Sequence, residues 1–139
     1  MITQTVSHLT AIERGLLRVV ASLRVSDDDA GVCIEFYGRS PRNAWFEAVR
    51  VDGYLGDVHY HAFSEDGAAL ECQISSTLRR DEVVQAVLEF AGAEVRAILT
   101  DLGFALAAAD DATWEDVIGF LTAGVLTTFL AFSPDGIQS

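Results

Sequence analysis

The stretch Asp57-Val58-His59-Tyr60-His61-Ala62-Phe63-Ser64-Glu65-Asp66-Gly67-Ala68-Ala69-Leu70-Glu71-Cys72-Gln73-Ile74-Ser75-Ser76, with Thr77-Leu78-Arg79-Arg80-Asp81-Glu82-Val83-Val84 directly behind it, decides the fold class. Two alternating runs flank Asp66-Gly67, a favoured pair for a two-residue type I′ turn. That turn predicts a hairpin over 57–76 in which Phe63 faces Leu70, His61 faces Cys72 and His59 faces Ile74. These six share one side, and Tyr60, Ala62, Glu71 and Gln73 take the other, because strand side chains alternate. The period then changes. Val84, Val87, Leu88, Ala91, Val95, Ile98 and Leu102 form a helical stripe over about residues 79–101. Asp81 and Glu82 suit the dipole of its first turn, and Gly103 is a natural stop. A hairpin running straight into a long helix predicts an α+β fold, with an antiparallel sheet covered on one face.

Downstream, the alanine-rich link Phe104–Ala109 leads to Asp110-Asp111. A last helix is expected from near Thr113, with Asp116 three residues on as in a capping box, to about Phe132, and 133–139 reads as a loose tail. Val117–Phe132 is uncharged but shorter than the roughly 20 apolar residues of a membrane span, and predicts a buried helix.

Upstream, Val32, Ile34 and Phe36 alternate with Cys33, Glu35 and Tyr37, a strand whose first set faces the core. Gly38-Arg39-Ser40-Pro41 breaks the chain. Residues 42–51 admit two readings. A helix capped by Ser40 would group Ala44, Trp45, Ala48 and Val49, whereas a strand would group Trp45, Val49 and Val51. Aromatic and β-branched content favours the strand. At the N-terminus, Leu9, Ile12, Leu16, Val19 and Leu23 recur at 3, 4, 3 and 4, and Ile2 extends the series. This predicts an amphipathic helix ending near Ser26, before the polar loop Asp27-Asp28-Asp29, although Gly15 sits inside it. The expected architecture is one domain over 1–139: an N-terminal helix, about four antiparallel strands, and two C-terminal helices on one face.

The chain has 139 residues, half of them apolar, which excludes disordered and low-complexity classes. Nine Arg, no Lys and 21 acids give a net charge of −12. That balance argues against nucleic acid or an anionic membrane as the main partner, since both need a positive face. The missing Lys fits GC-rich coding or adaptation to high salt. Two cysteines, Cys33 and Cys72, make no disulfide framework, and the opening residues lack a secretory pattern, so the expected compartment is the cytoplasm.

His59, His61 and Cys72 are the concentrated candidate ligands. On one hairpin face they offer two imidazoles and a thiolate, a zinc-type donor set. Phe63, Leu70 and Ile74 share that predicted face, so the plainer reading is core, and Cys33 supplies no fourth ligand. Cys72 activated by His61 would be a nucleophile without an orienting acid or oxyanion hole. Asp27-Asp28-Asp29 lacks the spacing of a calcium loop and reads as solvated. Arg79-Arg80 beside Asp81-Glu82 reads as an ion-pair cluster at a helix entry rather than a phosphate site. Trp45 and Phe46, near Arg42 and Arg50, have the composition of a protein interface. Together with Asp27, Asp28, Asp29, Asp110 and Asp111 they are the partner-binding candidates. No catalytic set, resident metal or cofactor is expected.

The segment His59–Leu102 resembles the second half of the type III secretion chaperones that bind single effectors. The similar features are the hairpin Val58–Gln73 and the helix Asp81-Glu82-Val83-Val84-Gln85-Ala86-Val87-Leu88-Glu89-Phe90-Ala91-Gly92-Ala93-Glu94-Val95-Arg96-Ala97-Ile98-Leu99, with small size, low pI and the opening helix in accord. YbjN-like proteins share the layout. The chaperone family has three strands between its first two helices and no counterpart of Thr113–Phe132. The resemblance implies a dimeric, non-catalytic escort. The functional expectation is therefore an acidic protein that escorts or neutralises a basic protein partner, as chaperones, immunity proteins and inhibitors do. The alternatives are a structural subunit of a homo-oligomer or larger assembly, and a small metal- or thiol-dependent enzyme using His59, His61 and Cys72.

Overall fold

In a computed structural model, residues 5–25, 30–39, 44–64, 68–103 and 110–129 are described. The described chain is α+β, with β1 (Thr5–Arg14), β2 (Leu17–Val25), β3 (Ala30–Arg39), β4 (Trp45–Tyr54), β5 (Asp57–Phe63) and β6 (Ala69–Ser75) followed by α1 (Arg80–Ala93), α2 (Val95–Asp101) and α3 (Asp111–Phe129). The strands form one six-stranded antiparallel sheet in the order β1-β2-β3-β4-β5-β6. The expected N-terminal helix and four-stranded sheet are thus corrected to a sheet with two more strands and no helix among the described residues before Arg80.

The physical reason lies in β2. Leu17, Val19, Ala21 and Leu23 are all buried on one side, a period of two. The helical spacing of Ile12, Leu16, Val19 and Leu23 was a coincidence of two strands read through a turn. Leu16 is exposed, and Gly15 at φ 59 takes the first central position of the two-residue link between Arg14 and Leu17. Primed hairpin turns put Gly there because L-residues resist positive φ.

All three helices cover one face. α1 packs on β3 to β6, α2 on β4, and α3 on β1 and β2. Val32, Ile34 and Phe36 face this layer and are 0–1% exposed, as their alternation predicts. Phe36 stacks on Trp114 of α3 at 6.0 Å, and the Trp114 indole N–H donates to Gly92 O at 3.3 Å. Gly53 of β4 lies under Val83 and Val87 of α1. The predicted long helix is broken at Glu94, between α1 and α2. Gly103 closes it as expected, its N–H donating to Thr100 O at 3.1 Å. α3 begins two residues before the expected start. The Asp110 carboxylate accepts from the Thr113 N–H at 2.7 Å, so Asp110, not Thr113, caps it. No described helix is long and apolar enough to cross a membrane.

Residues 45–51 are strand, as preferred, but Trp45 does not share a side with Val49 and Val51. The β3–β4 register shifts between Phe36 and Tyr37, so Trp45 and Glu47 pair with Arg39 and Tyr37 on the face away from the helices. The hairpin 57–76 forms with its register displaced by one. Tyr60, not His61, pairs with Cys72, and His61 pairs with Glu71. Three positions, 65–67, separate Ser64 and Ala68, whose backbone N–H and O bond at 2.9 Å, where a two-residue turn would leave two. Those three positions, the Asp27-Asp28-Asp29 loop, the link 104–109 and the tail 133–139 lie outside the described residues.

Candidate functional site

The register displacement reassigns the hairpin's faces, since a slip of one residue flips every side chain of a strand. Val58, Tyr60 and Ala62 point to the helices, and Tyr60 stacks on Phe90 of α1 at 4.7 Å. His59, His61 and Phe63 point to the opposite, outer face. Cys72 joins Tyr60 on the helix side, where the thiol's contact holds the Tyr60 hydroxyl pKa up. The predicted trio is therefore split. The structure brings His59 and His61 together and places Cys72 across the sheet from them.

Pairing across the sheet lines Ser22, Cys33, Asp52, His59 and Gln73 into one outer row, and Val20, Glu35, Arg50, His61 and Glu71 into the next. Asp52 is the residue missed by sequence reasoning. It is 4% exposed, and its Oδ2 meets Arg50 Nε at 3.1 Å, His61 Nε2 at 3.3 Å and His59 Nε2 at 3.4 Å. The signal was present: an acid in a strand whose neighbours Val49, Val51 and Gly53 are buried needs partners of opposite character. The two imidazoles meet edge to face with centroids 4.9 Å apart. His59 Nδ1 lies 3.0 Å from Asp57 Oδ1, and His61 Nδ1 lies 3.8 Å from Glu71 Oε1. The Cys33 thiol lies against Asp52, and burial and that carboxylate drive its pKa far up, so it stays protonated.

A second polar group adjoins the first. Burial pushes the Glu47 carboxyl up to about 7, reinforced by its hydrogen bond to Glu35 and that neighbour's charge. The Tyr37 hydroxyl donates to Glu35 Oε2 at 3.1 Å, and burial, then the Glu35 charge, pushes it up to about 12. Two guanidiniums lie over aromatic rings on this face: Arg39 over Trp45 at 5.2 Å and Arg50 over Phe63 at 5.8 Å.

Of the partner-binding candidates, Trp45 stands on the outer face, half-buried, whereas Phe46 packs against the core on the other. Asp110 is committed to its cap and Asp111 to an ion pair with Arg96. Arg79 pairs with Asp81 at 3.2 Å, the helix-entry cluster expected. Asp27, Asp28 and Asp29 are outside the described residues. No family model matches the chain, and neither the curated proteins nor the solved structures provide a match.

Proposed function

We propose that this protein is a non-catalytic binding protein that escorts or neutralises a protein partner, using the sheet face opposite its helices. The observation that supports this most is the pairing of aromatic rings with arginines on that face, Trp45 with Arg39 and Phe63 with Arg50. Aromatic and Arg side chains dominate the buried centres of protein interfaces. Here each ring is already held by a guanidinium and by strand neighbours, so little side-chain freedom is lost on docking. The net charge of −12 favours a basic partner and speeds its approach.

Affinity capture from the host's own lysate, with mass spectrometry of retained proteins, tests this. The expected result is a basic protein held at low salt, released at high salt, and lost with Trp45→Ala. Equal retention by wild type and Trp45→Ala would refute it. A second reading, a homo-oligomeric subunit, draws on β6, an edge strand whose Leu70 is 57% exposed. A fixed homo-oligomeric mass in light scattering, unchanged across salt and without foreign protein, would select that reading.

A further inference from the structure

We propose that Asp52, His59 and His61 form a binding site for one divalent transition-metal ion of the zinc class, independently of any protein partner. Their ligand atoms lie within 4.8 Å of one another. The first argument is proton arithmetic. Both nitrogens of His59 face carboxylate oxygens, Asp57 at 3.0 Å and Asp52 at 3.4 Å. His61 is arranged alike, between Asp52 at 3.3 Å and Glu71 at 3.8 Å. An ionised carboxylate only accepts hydrogen bonds, and a neutral imidazole has one proton to give. With that proton turned outward on Nδ1, each ring aims a bare Nε2 at Asp52 Oδ2. Three electron-pair donors then converge, and a cation between them removes the repulsion.

The second argument is length. Zinc–nitrogen and zinc–carboxylate bonds of about 2.0–2.1 Å set a ligand–ligand edge of about 3.3–3.4 Å in a tetrahedron. Two of the three edges, the Nε2–Oδ2 separations, are 3.3 and 3.4 Å, and the third, between the two imidazoles, is within 4.8 Å, so binding draws the rings together. Octahedral coordination at the same bond length would need about 2.9 Å. Calcium and magnesium are disfavoured by the two imidazoles, because both select oxygen.

The third argument is the surrounding shell. Metal-bound histidines turn their other N–H to a carboxylate, which fixes the tautomer and raises ligand basicity. Asp57 and Glu71 stand where that role requires. Asp52 Oδ1, moreover, is buried and faces no nitrogen or oxygen donor among the described residues, and the weakly donating Cys33 thiol is the group that lies against this carboxylate. A buried carboxylate oxygen so poorly paired is costly, and an adjoining dication offsets that cost. Arg50 does not block the site, since Oδ2 has a second lone pair. Three protein ligands leave a tetrahedral ion one position for water or an incoming ligand.

The test titrates the full-length, tag-free chain with Co²⁺, reading tetrahedral d–d absorption, and then displaces it with Zn²⁺. One Co²⁺ per chain is expected. Asp57→Asn, which leaves all three ligands in place, should weaken binding by about 10- to 100-fold. His61→Gln should weaken it more, and His8→Gln should leave it unchanged. His61→Gln is preferred to a change at buried Asp52, and far-UV circular dichroism confirms its fold. Absence of Co²⁺ and Zn²⁺ uptake by the wild type would overturn the proposal. Undiminished uptake by folded His61→Gln would overturn it too.

Discussion

Replacing Glu47 with Gln removes a titrating carboxyl while keeping its shape. In the native protein, burial and the adjacent Glu35 raise this group from 4.5 to about 7, against the pull of Arg50 and Arg24. The folded state therefore binds the proton more tightly than the unfolded chain. The stability linked to the protonated form is fully present below about 4.5 and is lost as pH rises through about 7. At about 1.4 kcal/mol per pH unit the gap corresponds to about 3 kcal/mol. Glu47 is partly exposed, and solvent screening reduces this to about 1 kcal/mol. Gln stays neutral at every pH and can donate an amide N–H to Glu35. Urea unfolding followed by circular dichroism at about pH 4 and about pH 8 isolates the effect as a difference of differences. Glu47→Gln should match the wild type at the lower pH and exceed it by about 1 kcal/mol at the higher. An equal difference at both pH values would refute the reasoning, because a purely steric effect does not titrate.

Two other perturbations probe packing and thiol chemistry. A Cβ on Gly53 would stand 2.5 Å from Val87 Cγ2 and 3.0 Å from Val83 Cγ1, so Gly53→Ala must displace the Val87 side chain or the α1 backbone that carries it. It should cost about 1–3 kcal/mol in thermal or urea melts, and an unchanged midpoint would contradict the β4–α1 packing. A thiol reagent should modify one cysteine per folded chain, Cys72, because Cys33 is 1% exposed and its thiolate is disfavoured. Both should react in denaturant, and rapid labelling of folded Cys72→Ser would contradict the burial of Cys33.

The fold class and the helix-covered face were legible wherever one period dominates a segment. β3 alternates cleanly through Val32, Ile34 and Phe36, and the stripe from Val84 to Leu102 is helical apart from the break at Glu94 and the cap at Leu102. The N-terminal hairpin was not legible, because Ile12, Val19 and Leu23 satisfy a helical spacing and a strand spacing at once. Gly15 was the discriminating residue: it is costly inside a helix and required at the turn. The site was half legible. His59 and His61 stood out by type. Their relation to Cys72 depended on the length of the connection at 65–67, and a one-residue difference there inverts the face. Asp52 comes from a third strand and is joined to the histidines through β4–β5 pairing, a register set by the two-residue Leu55-Gly56 turn, with Gly56 at φ 76, which sequence reasoning passed over.

The strictly sequential strand order has a kinetic consequence. Each strand pairs with its immediate neighbours in the chain, so the sheet can zip up by short loop closures, with low entropic cost at each step. Docking of α3 on β1 is the exception, since it joins the two ends of the described chain. Ile12, Leu17 and Val19 therefore emerge before α3 in synthesis and wait for that helix to cover them. During that interval a nascent chain exposes an apolar hairpin, and its yield should depend on how quickly α3 follows.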